Sequence, residues 1–392
     1  MACALAHVIF LLYLCARYGV RMENRDRHMD IARAVAIILV VLGHIGAIPG
    51  CEWVETHFPI YSYHMALFLC ISGYLFRDMN WSSLPSFLKK KSLRLLLPLI
   101  GWNIVYAGIV TLFNHWQLVH YLPPTEKVWS FYNLFIAPFM GCGQYLFNHA
   151  TWFVGMLYPA LIVFALIYLI GRRLPEWSRL VLYFCMAVAA MCVARFCDFP
   201  RWALLPLHIA YALFFLQVGR CWRIWIEPRL SRTNIWFVLL GVLVMWYVVQ
   251  LFGGQTCVVA WMNFDSHILI PLLTGVLGSV FWILISTICA QYVPANRIET
   301  LIGTNTWSIM AHHLLVRFMV CYLFVRFTHD TEAMAALQDS FWYRSMAVNY
   351  WVYAAAMIIL PILWQLIFDR FKSIFYTFIC KFQKKCVPLH KN

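Results

Sequence analysis

Long apolar runs recur along the whole chain, and proline, glycine and charged residues separate them. A helix needs about 20 mostly apolar residues to cross the hydrocarbon core of a bilayer, and these runs are of that length. The pattern predicts an all-α fold, a polytopic transmembrane helical bundle with about ten spans. The predicted spans are 31–50, 60–77, 94–113, 151–170, 178–196, 203–219, 234–252, 269–291, 299–323 and 347–369.

The composition excludes an ordinary soluble domain. Of the 392 residues 63% are hydrophobic and 12% are charged, with a mean hydropathy of +0.73, whereas a soluble domain is about half apolar and a quarter charged. We therefore expect the lipid bilayer to surround one membrane domain over 25–372. An N-terminal extension at 1–24 would precede it, and a basic cytoplasmic tail at 373–392 would follow.

The formal net charge of +14 has a topological explanation. Lys and Arg collect in the short cytoplasmic loops of membrane proteins. When the 30 Lys and Arg residues are assigned to alternate sides of the predicted spans, most fall on the side that holds both termini. This distribution predicts that both termini are cytoplasmic, and we expect no nucleic-acid partner.

Residues 2–16 are apolar but short for a span, and Arg17 and Arg21 follow the apolar part, unlike in a signal peptide. Three interpretations stay open: an interfacial helix, an eleventh span, or upstream sequence from an early start codon, with Met22 or Met29 as the true start. We favour the last, because the charge distribution is explained without this segment.

The 14 cysteines lie mostly inside apolar runs, with no CxxC pair and no His/Cys spacing typical of a metal site. They are expected to behave as small buried hydrophobic residues, so we expect no metal. Cys51 and Cys257 fall on predicted outward loops, where an oxidising compartment would allow a disulfide, but the sequence alone does not pair them.

Asp30, Arg33 and His44 lie on one stripe of the first predicted span. The eleven residues from Arg33 to His44 make close to three helical turns, a rise of about 16 Å. An ionisable side chain as deep as His44 is costly and usually faces a bundle interior or a cavity. His44 is therefore either a structural histidine bonded to a carbonyl or a proton acceptor. Spacing alone explains Arg33 and Asp30 as a cytoplasmic anchor and its partner.

Five motifs resemble those of the acyltransferase 3 family of bacterial membrane O-acyltransferases, in the family's order and over roughly residues 25–320. Ala66, Val154 and Met310 depart from the pattern, since the family commonly has Pro, Leu and Tyr there. The motifs are Arg33 with His44 after ten intervening residues, Tyr63–Phe68 continuing to Ile71–Phe76, Phe87–Arg94 followed by Pro98, Thr151–Phe153, and Ile302–His313.

The resemblance implies an integral O-acetyltransferase of the bacterial inner (cytoplasmic) membrane. Acetyl-CoA usually supplies the acyl group from the cytoplasm as a co-substrate in this family. A hydroxyl of a lipid-linked or cell-surface glycan, such as lipopolysaccharide or O-antigen, accepts it on the outer side. Succinyl or another short acyl group stays open as the group transferred.

The resemblance also implies roles for four catalytic candidates, which are His44, Arg33, Asp30 and His313. His44 is expected to act as general base in a direct transfer, with an acyl-His44 intermediate as the competing route. Asp30 would orient Arg33. His313 would orient the base or bind the carbonyl oxygen of the acyl group.

Arg33, Lys91 and Arg94 are the candidates for binding the donor, because their positive charge at the cytoplasmic mouth suits its phosphates. Membrane topology explains each lysine of this region at least as well. Three further residues are candidates for substrate binding, although the two aromatic ones could equally be core residues: Trp152, Tyr74 and Asn305. Asn305 shares with His313 the possible roles of orienting the base and binding the carbonyl oxygen. His64 is expected to pack or form a hydrogen bond between the first two spans.

A multi-pass transporter or glycan translocase without acyl-transfer activity is the rival hypothesis. Such proteins also have many spans and a few buried polar residues. The sequence has no evident internal repeat of the kind many transporters carry, and its polar residues lie in the motifs described above. The motifs therefore favour the enzyme.

Overall fold

The computed structural model describes residues 26–141, 145–232, 234–253, 257–264 and 267–386, the last stretch from 375 by its backbone alone. Within these ranges nearly all regular structure is helical, which confirms the predicted all-α bundle. The helices are α1 (Arg27–Ile45), α2 (Glu52–His57), α3 (His64–Tyr74), α4 (Leu84–Lys91), α5 (Leu97–His115), α6 (Thr125–Val128), α7 (Trp152–Ile170), α8 (Glu176–Phe196), α9 (Leu204–Cys221), α10 (Asn234–Leu251), α11 (Leu269–Tyr292), α12 (Arg297–Thr304), α13 (Thr306–Thr328), α14 (Thr331–Asp339) and α15 (Tyr350–Cys386).

Nine helical segments in the described ranges are long and apolar enough to cross a membrane. Some of these segments include short 3-10 or π turns that join the α-helices defined above. They are Arg27–Ile45, Trp81–His115, Leu146–Ile170, Glu176–Phe196, Arg201–Arg229, Asn234–Leu251, Leu269–Tyr292, Thr306–Thr328 and Tyr350–Ile374.

The second predicted span is shorter in the structure than the sequence pattern indicates. Only the 11 residues of α3 are α-helical in 60–77, because Pro59 and the 3-10 turn Ile60–Ser62 precede them and the helix ends at Tyr74. A helix of this length rises about 16 Å and does not cross a hydrocarbon core of about 30 Å by itself. All of its residues except Ser72 are buried, so α3 lies inside the bundle.

The ninth predicted span, 299–323, is two helices. Asn305 has φ −104° and ψ 17°, outside the helical region, and it separates α12 from α13. The short helix α12 packs closely on the start of α1, since a Cβ at Gly303 would lie 2.5 Å from the carbonyl oxygen of Asp30. The break therefore gives the chain a short helix beside Asp30 and a separate spanning helix beyond it.

The spanning helices form an inner and an outer group. Five have 61% of their apolar window buried: α1, α7, α9, α11 and α13. Four are mostly exposed, with 17–33% buried, and these present apolar side chains outward as expected for lipid contact: α5, α8, α10 and α15.

The helices α3 and α9 approach backbone to backbone. A Cβ on Gly73 would overlap the carbonyl oxygen of Leu216, and a Cβ on Gly219 would overlap that of Cys70. Small residues at such crossings allow helices to approach closely where lipid supplies no hydrophobic driving force between them. This contact fixes α3 beside the inner helices.

The connection after α10 contains two short strands, and short 3-10 and π segments occur there and in several other connections. Strand β1 (Cys257–Val258) pairs antiparallel with β2 (Asn263–Phe264). The cysteines considered for a disulfide, Cys51 and Cys257, are both free, and Cys257 is buried. The 3-10 and π segments are Ile60–Ser62, Trp81–Ser83, Ser92–Leu96, Tyr132–Ile136, Ala137–Phe139, Leu146–Thr151, Arg201–Ala203, Trp222–Ile226, Glu227–Arg229 and Val259–Trp261.

The two predicted boundaries of the membrane domain stay predictions. The N-terminal extension 1–24 lies outside the described residues. At the other end α15 runs on without a break through residue 373, where the cytoplasmic tail is predicted to begin. Residues 387–392 of that tail also lie outside the described residues.

Candidate active site

Arg33 and Asp30 form an ion pair near the start of α1. The Nη1 atom of Arg33 donates to Oδ1 of Asp30 at 3.0 Å, and Asp30 is only 6% exposed. Their separation of three residues places both side chains on one face of the helix. The carboxylate therefore lies where it can restrain the guanidinium.

The protonation of His44 follows from its hydrogen bond within α1. Its Nδ1 atom lies 2.8 Å from the carbonyl oxygen of Val40, one helical turn earlier. A carbonyl oxygen only accepts, so Nδ1 carries the proton in this bond. In the neutral ring, Nε2 then holds the lone pair. His44 thus has a fixed tautomer whose Nε2 can accept a proton.

His313 on α13 is the neighbour of His44. Its Nδ1 donates to the carbonyl oxygens of Ile309, at 2.8 Å, and Met310, at 3.1 Å. Its Nε2 therefore also holds a lone pair, and this atom lies 3.2 Å from Nδ1 of His44. The N–H of His44 is shared between the carbonyl oxygen of Val40 and the imidazole of His313.

A cavity of about 140 Å³, named here the His44 cavity, lies against His44. It is smaller than a typical ligand pocket of about 300–1,000 Å³, so it suits the reacting ends of two molecules rather than a whole ligand. Its lining comes from four helices and from the connections at this end of the bundle: Val40, His44, Tyr61, His64, Met65, His149, Ala150, Trp152, Cys257, Val258, Val259, Ala260, Trp261, Met310 and Trp342.

Arg317 holds one wall of this cavity in place. Its guanidinium is 3% exposed and donates to the backbone carbonyl oxygens of Phe341 and Trp342. The ring of Trp342 lies nearly parallel to that of His44, with 6° between the planes and 6.2 Å between the centroids. The buried arginine therefore fixes the aromatic wall that faces the imidazole.

A larger cavity of about 500 Å³, named here the Arg33 cavity, opens toward the other end of the bundle. Arg33 and Arg94 give it positive charge, and the indole Nε1 of Trp307 is buried there with no hydrogen-bond partner among the described residues. Its size and charge suit a phosphate-bearing ligand. Its lining is Arg33, Phe68, Ile71, Ser72, Leu75, Leu93, Arg94, Leu95, Phe153, Val154, Leu157, Gly303, Thr304, Thr306, Trp307 and Met310.

The two cavities meet at Met310. Of the residues that the structure describes, this is the one that lines both. Its side chain is 5% exposed and lies on α13 three residues before His313. Helix α1, which carries both Arg33 and His44, thus lines two successive spaces with a methionine between them.

The other predicted site residues are divided between this region and the rest of the bundle. Trp152 lines the His44 cavity, and Asn305 lies between Thr304 and Thr306 of the Arg33 cavity. Tyr74 and Lys91 line neither cavity in the described parts of the chain. The ring of Tyr74 contacts His28 at 5.5 Å between centroids, and the ammonium of Lys91 lies 5.5 Å from the ring of Phe87.

Several residues at the site were not singled out as catalytic or binding candidates from the sequence. His64, which was expected to pack, lines the His44 cavity while its Nδ1 lies 2.7 Å from the carbonyl oxygen of Ile60. His149, Arg317 and Trp342 were missed. Arg317 lies four residues after His313, on the same helical face, and this spacing could have identified it. No comparable pattern pointed to Trp342.

In the described part of the chain no group of three or more His, Cys, Asp or Glu side chains is arranged to hold a metal ion. The protonated Nδ1 atoms of His44, His64 and His313 all face carbonyl oxygens of their own chain segments. These imidazoles are thus held by backbone hydrogen bonds.

Fold and site together define a multi-pass membrane protein with a pair of hydrogen-bonded imidazoles, one of which lines the smaller of two cavities. Over residues 26–370 the chain matches the acyltransferase 3 family, whose shared region is described as an acyltransferase domain. The match covers nearly the whole chain. The protein therefore belongs to this family of membrane acyltransferases, which confirms the resemblance inferred from the five motifs.

Two curated relatives are nodulation proteins NolL, from Mesorhizobium japonicum and Sinorhizobium fredii. The chain is 34% identical to the first and 35% identical to the second, each over 87 residues. This region is 20% of the chain, and 23% and 24% of the two relatives, so the chain matches less than a quarter of their length. No solved structure matches the chain.

Proposed function

We propose that the protein transfers an acetyl group from cytoplasmic acetyl-CoA to a hydroxyl of a lipid-linked or cell-surface glycan, such as lipopolysaccharide or O-antigen. One observation carries the proposal. The Nδ1–H of His44 is held by Val40 and His313, which leaves the lone pair of Nε2 to accept a proton, and His44 lines a small cavity next to a larger one that carries two arginines. The family supplies the class of reaction, acyl transfer.

The Arg33 cavity is the proposed donor site. Arginine side chains bind phosphate oxygens through charge-assisted hydrogen bonds. Two arginine side chains, those of Arg33 and Arg94, line this cavity. The unpaired indole N–H of Trp307 is available to a carbonyl of the pantetheine arm. The proposed donor site faces the cytoplasm, because acetyl-CoA is supplied from there. In this orientation both termini are cytoplasmic and the protein lies in the inner membrane.

The His44 cavity is the proposed site of the reaction. Nε2 of His44 takes the proton of the glycan hydroxyl as its oxygen attacks the thioester carbonyl carbon. The C–S bond breaks, the new C–O ester bond remains on the glycan, and CoA leaves as a thiolate that accepts the proton from His44. The carbonyl oxygen of Val40 and Nε2 of His313 stabilise the imidazolium that forms between these events.

An acyl-His44 intermediate is the competing route, in which Nε2 attacks the thioester first. The two routes differ in their kinetics. Direct transfer requires both substrates together, whereas the acyl-enzyme route releases CoA in the absence of the glycan. A burst of CoA equal to the amount of enzyme, without acceptor, would therefore identify the covalent route.

The test uses purified protein in detergent with acetyl-CoA labelled in the acetyl group and glycan extracted from cells that lack the gene. We expect labelled glycan with wild type and a loss of at least about 100-fold with His44→Ala. His57→Ala is the matched control, because His57 also bonds to the carbonyl oxygen four residues earlier, at 2.8 Å, but lines neither cavity in the described ranges. A transporter would release no CoA and label no glycan.

The orientation has a separate test. Acetyl-CoA does not cross membranes, so only a donor site facing the added acetyl-CoA is filled. We expect inside-out membrane vesicles to acetylate their glycan and sealed right-side-out vesicles to be inactive until they are permeabilised. The opposite pattern would reject cytoplasmic termini while leaving the chemistry of His44 intact.

A further inference from the structure

Met310 lies at the junction of the two cavities. It lines both, its side chain is 5% exposed, and its carbonyl oxygen accepts a hydrogen bond from His313 at 3.1 Å. Met310 thus lies within one turn of His313 on α13 and is joined to it by this hydrogen bond.

The same helices continue from one cavity into the other. On α1 the lining passes from Arg33 to Val40, and on α3 it passes from Phe68 to Met65. The two cavities thus follow one another along α1 and α3, and Met310 lines both of them. A group that moves from the Arg33 cavity to His44 has to pass this side chain.

The Arg33 cavity and the His44 cavity differ in volume. The Arg33 cavity has about 500 Å³, which suits part of a large ligand, whereas the His44 cavity has about 140 Å³. Only a small reacting group, together with the accepting hydroxyl, fits in the second space. Every methylene added to that group competes with Met310 and with the acceptor for the same volume.

We propose that Met310 selects the acyl group by length, admitting acetyl to His44 and excluding longer acyl chains carried on CoA. This inference rests on the proposed function and names the residue that sets its donor specificity. One additional methylene changes discrimination in an apolar pocket by about 10- to 200-fold. Methionine is flexible enough to let a thioester pass and long enough to occupy the space that the alkyl part of a propionyl or butyryl group would need.

The test compares wild type with Met310→Ala in membranes that contain the glycan acceptor. Acetyl-, propionyl-, butyryl- and hexanoyl-CoA are supplied in turn, and the acylated glycan is quantified by mass spectrometry. We expect wild type to prefer acetyl-CoA. Met310→Ala is expected to raise the rate with propionyl- or butyryl-CoA, relative to acetyl-CoA, by about tenfold or more.

Leu314→Ala is the control. Leu314 is 1% exposed, lies one turn further along α13 and lines neither cavity in the described parts of the chain. Leu314→Ala removes a similar volume of buried side chain. The rate with propionyl- or butyryl-CoA, relative to the rate with acetyl-CoA, is expected to stay at the wild-type value. If Met310→Ala does not fold, Met310→Val is expected to shift the ratio in the same direction by a smaller factor.

Three outcomes separate the two proposals. A Met310 variant that folds, transfers acetyl and keeps the wild-type ratio overturns the selection by length. Equal rates of wild type with acetyl- and butyryl-CoA overturn it as well. If wild type acylates no glycan from any of the four donors, the proposed function itself is wrong.

Discussion

The Nε2 atom of His313 lies 3.2 Å from the Nδ1 atom of His44, although 269 residues separate the two histidines in the chain. Since His313 bonds through Nδ1 to the carbonyl oxygens of Ile309 and Met310, its Nε2 faces the N–H of His44 as an acceptor. A neutral imidazole thus occupies the place beside the base where other enzymes use a carboxylate. This pairing carries the proposed mechanism.

Replacing His313 by Ala is expected to lower kcat by about 10- to 150-fold, because a hydrogen bond to a charged group contributes about 1.5–3 kcal/mol. The KM for acetyl-CoA should change little, since His313 acts on the base and not on the donor. His313→Gln, whose amide oxygen can accept from His44, should recover part of kcat. Steady-state kinetics on the three proteins, with equal thermal stability in detergent, check this prediction. An unchanged kcat in His313→Ala would assign His313 to packing.

Replacing Arg94 by Gln is expected to raise the KM for acetyl-CoA by about tenfold or more, since the substitution removes a charge-assisted contact with phosphate. kcat should stay near the wild-type value because Arg94 lines the Arg33 cavity and not the space at His44. Lys89→Gln is the matched control, an exposed basic residue on α4 outside the lining, and its KM should be unchanged. Equal effects of the two variants would indicate a general surface potential instead of a defined donor site.

Glu299 on the short helix α12 is expected to stabilise the fold in a pH-dependent manner. Arg27 donates to its carboxylate at 2.6 Å, and this hydrogen bond holds the pKa of Glu299 below its usual range. A lowered folded-state pKa means stability that is present above the unfolded-state value of about 4.3 and is lost as the pH falls through the folded-state value. Glu299→Gln should lower the Tm at pH 7, and its difference from wild type should shrink toward pH 4.

The control for this prediction is Glu332→Gln, an exposed carboxyl on α14. Its Tm should follow that of wild type at both pH values. A Tm difference for Glu299→Gln that is the same at pH 7 and pH 4 would show that the ion pair with Arg27 does not cause it.

Replacing Gly73 by Ala is expected to destabilise the bundle by about 1–3 kcal/mol, since the added methyl would overlap the carbonyl oxygen of Leu216. The same change at Gly101 should be neutral or slightly stabilising, because no atom outside the local helix backbone lies within 4 Å of a Cβ there and Ala favours helix. Folded yield after detergent extraction and Tm measure both. Equal yields and melting temperatures for the two variants would contradict the close crossing of α3 and α9.

The sequence pattern was sufficient to predict the class of fold and most of the helices. Runs of apolar residues with Pro or charge at their ends have few alternatives in a bilayer, so the predicted 178–196 and 269–291 agree with α8 and α11 within two residues. The first helix begins at Arg27 instead of 31, because Arg27 is tied to α12 and the end of α11 by hydrogen bonds. No hydropathy pattern reports such contacts.

Two features depend on packing that the sequence pattern does not contain: the short helix α3 in the second predicted span, and the break between α12 and α13 in the ninth. Buried segments such as α3 do not have to be long, because neighbouring helices and not lipid surround them. No Pro marks the break at Asn305, and apolar residues lie on both sides of it, so the sequence pattern predicts one continuous span. Tertiary packing decides both cases.

For the candidate site, helical spacing correctly placed Asp30, Arg33 and His44 on one helix. It did not show that His313 lies beside His44 or that Met310 separates two cavities, because both depend on the packing of α13 against α1. Charge and the family resemblance also made Lys91 and Tyr74 binding candidates, and the structure places them outside both cavity linings in its described parts. The roles of all these residues remain predictions until variants are measured.

The most direct test of the central claim is the O-acetyl content of surface polysaccharide, measured by NMR on cells that lack the gene and are complemented with wild type or His44→Ala. Membrane levels of the two proteins are matched, and His57→Ala serves as the control. We predict that the acetyl signals vanish in the deletion, return with wild type and His57→Ala, and fail to return with His44→Ala. Full restoration by His44→Ala would contradict the account, since His44 would then be a structural histidine.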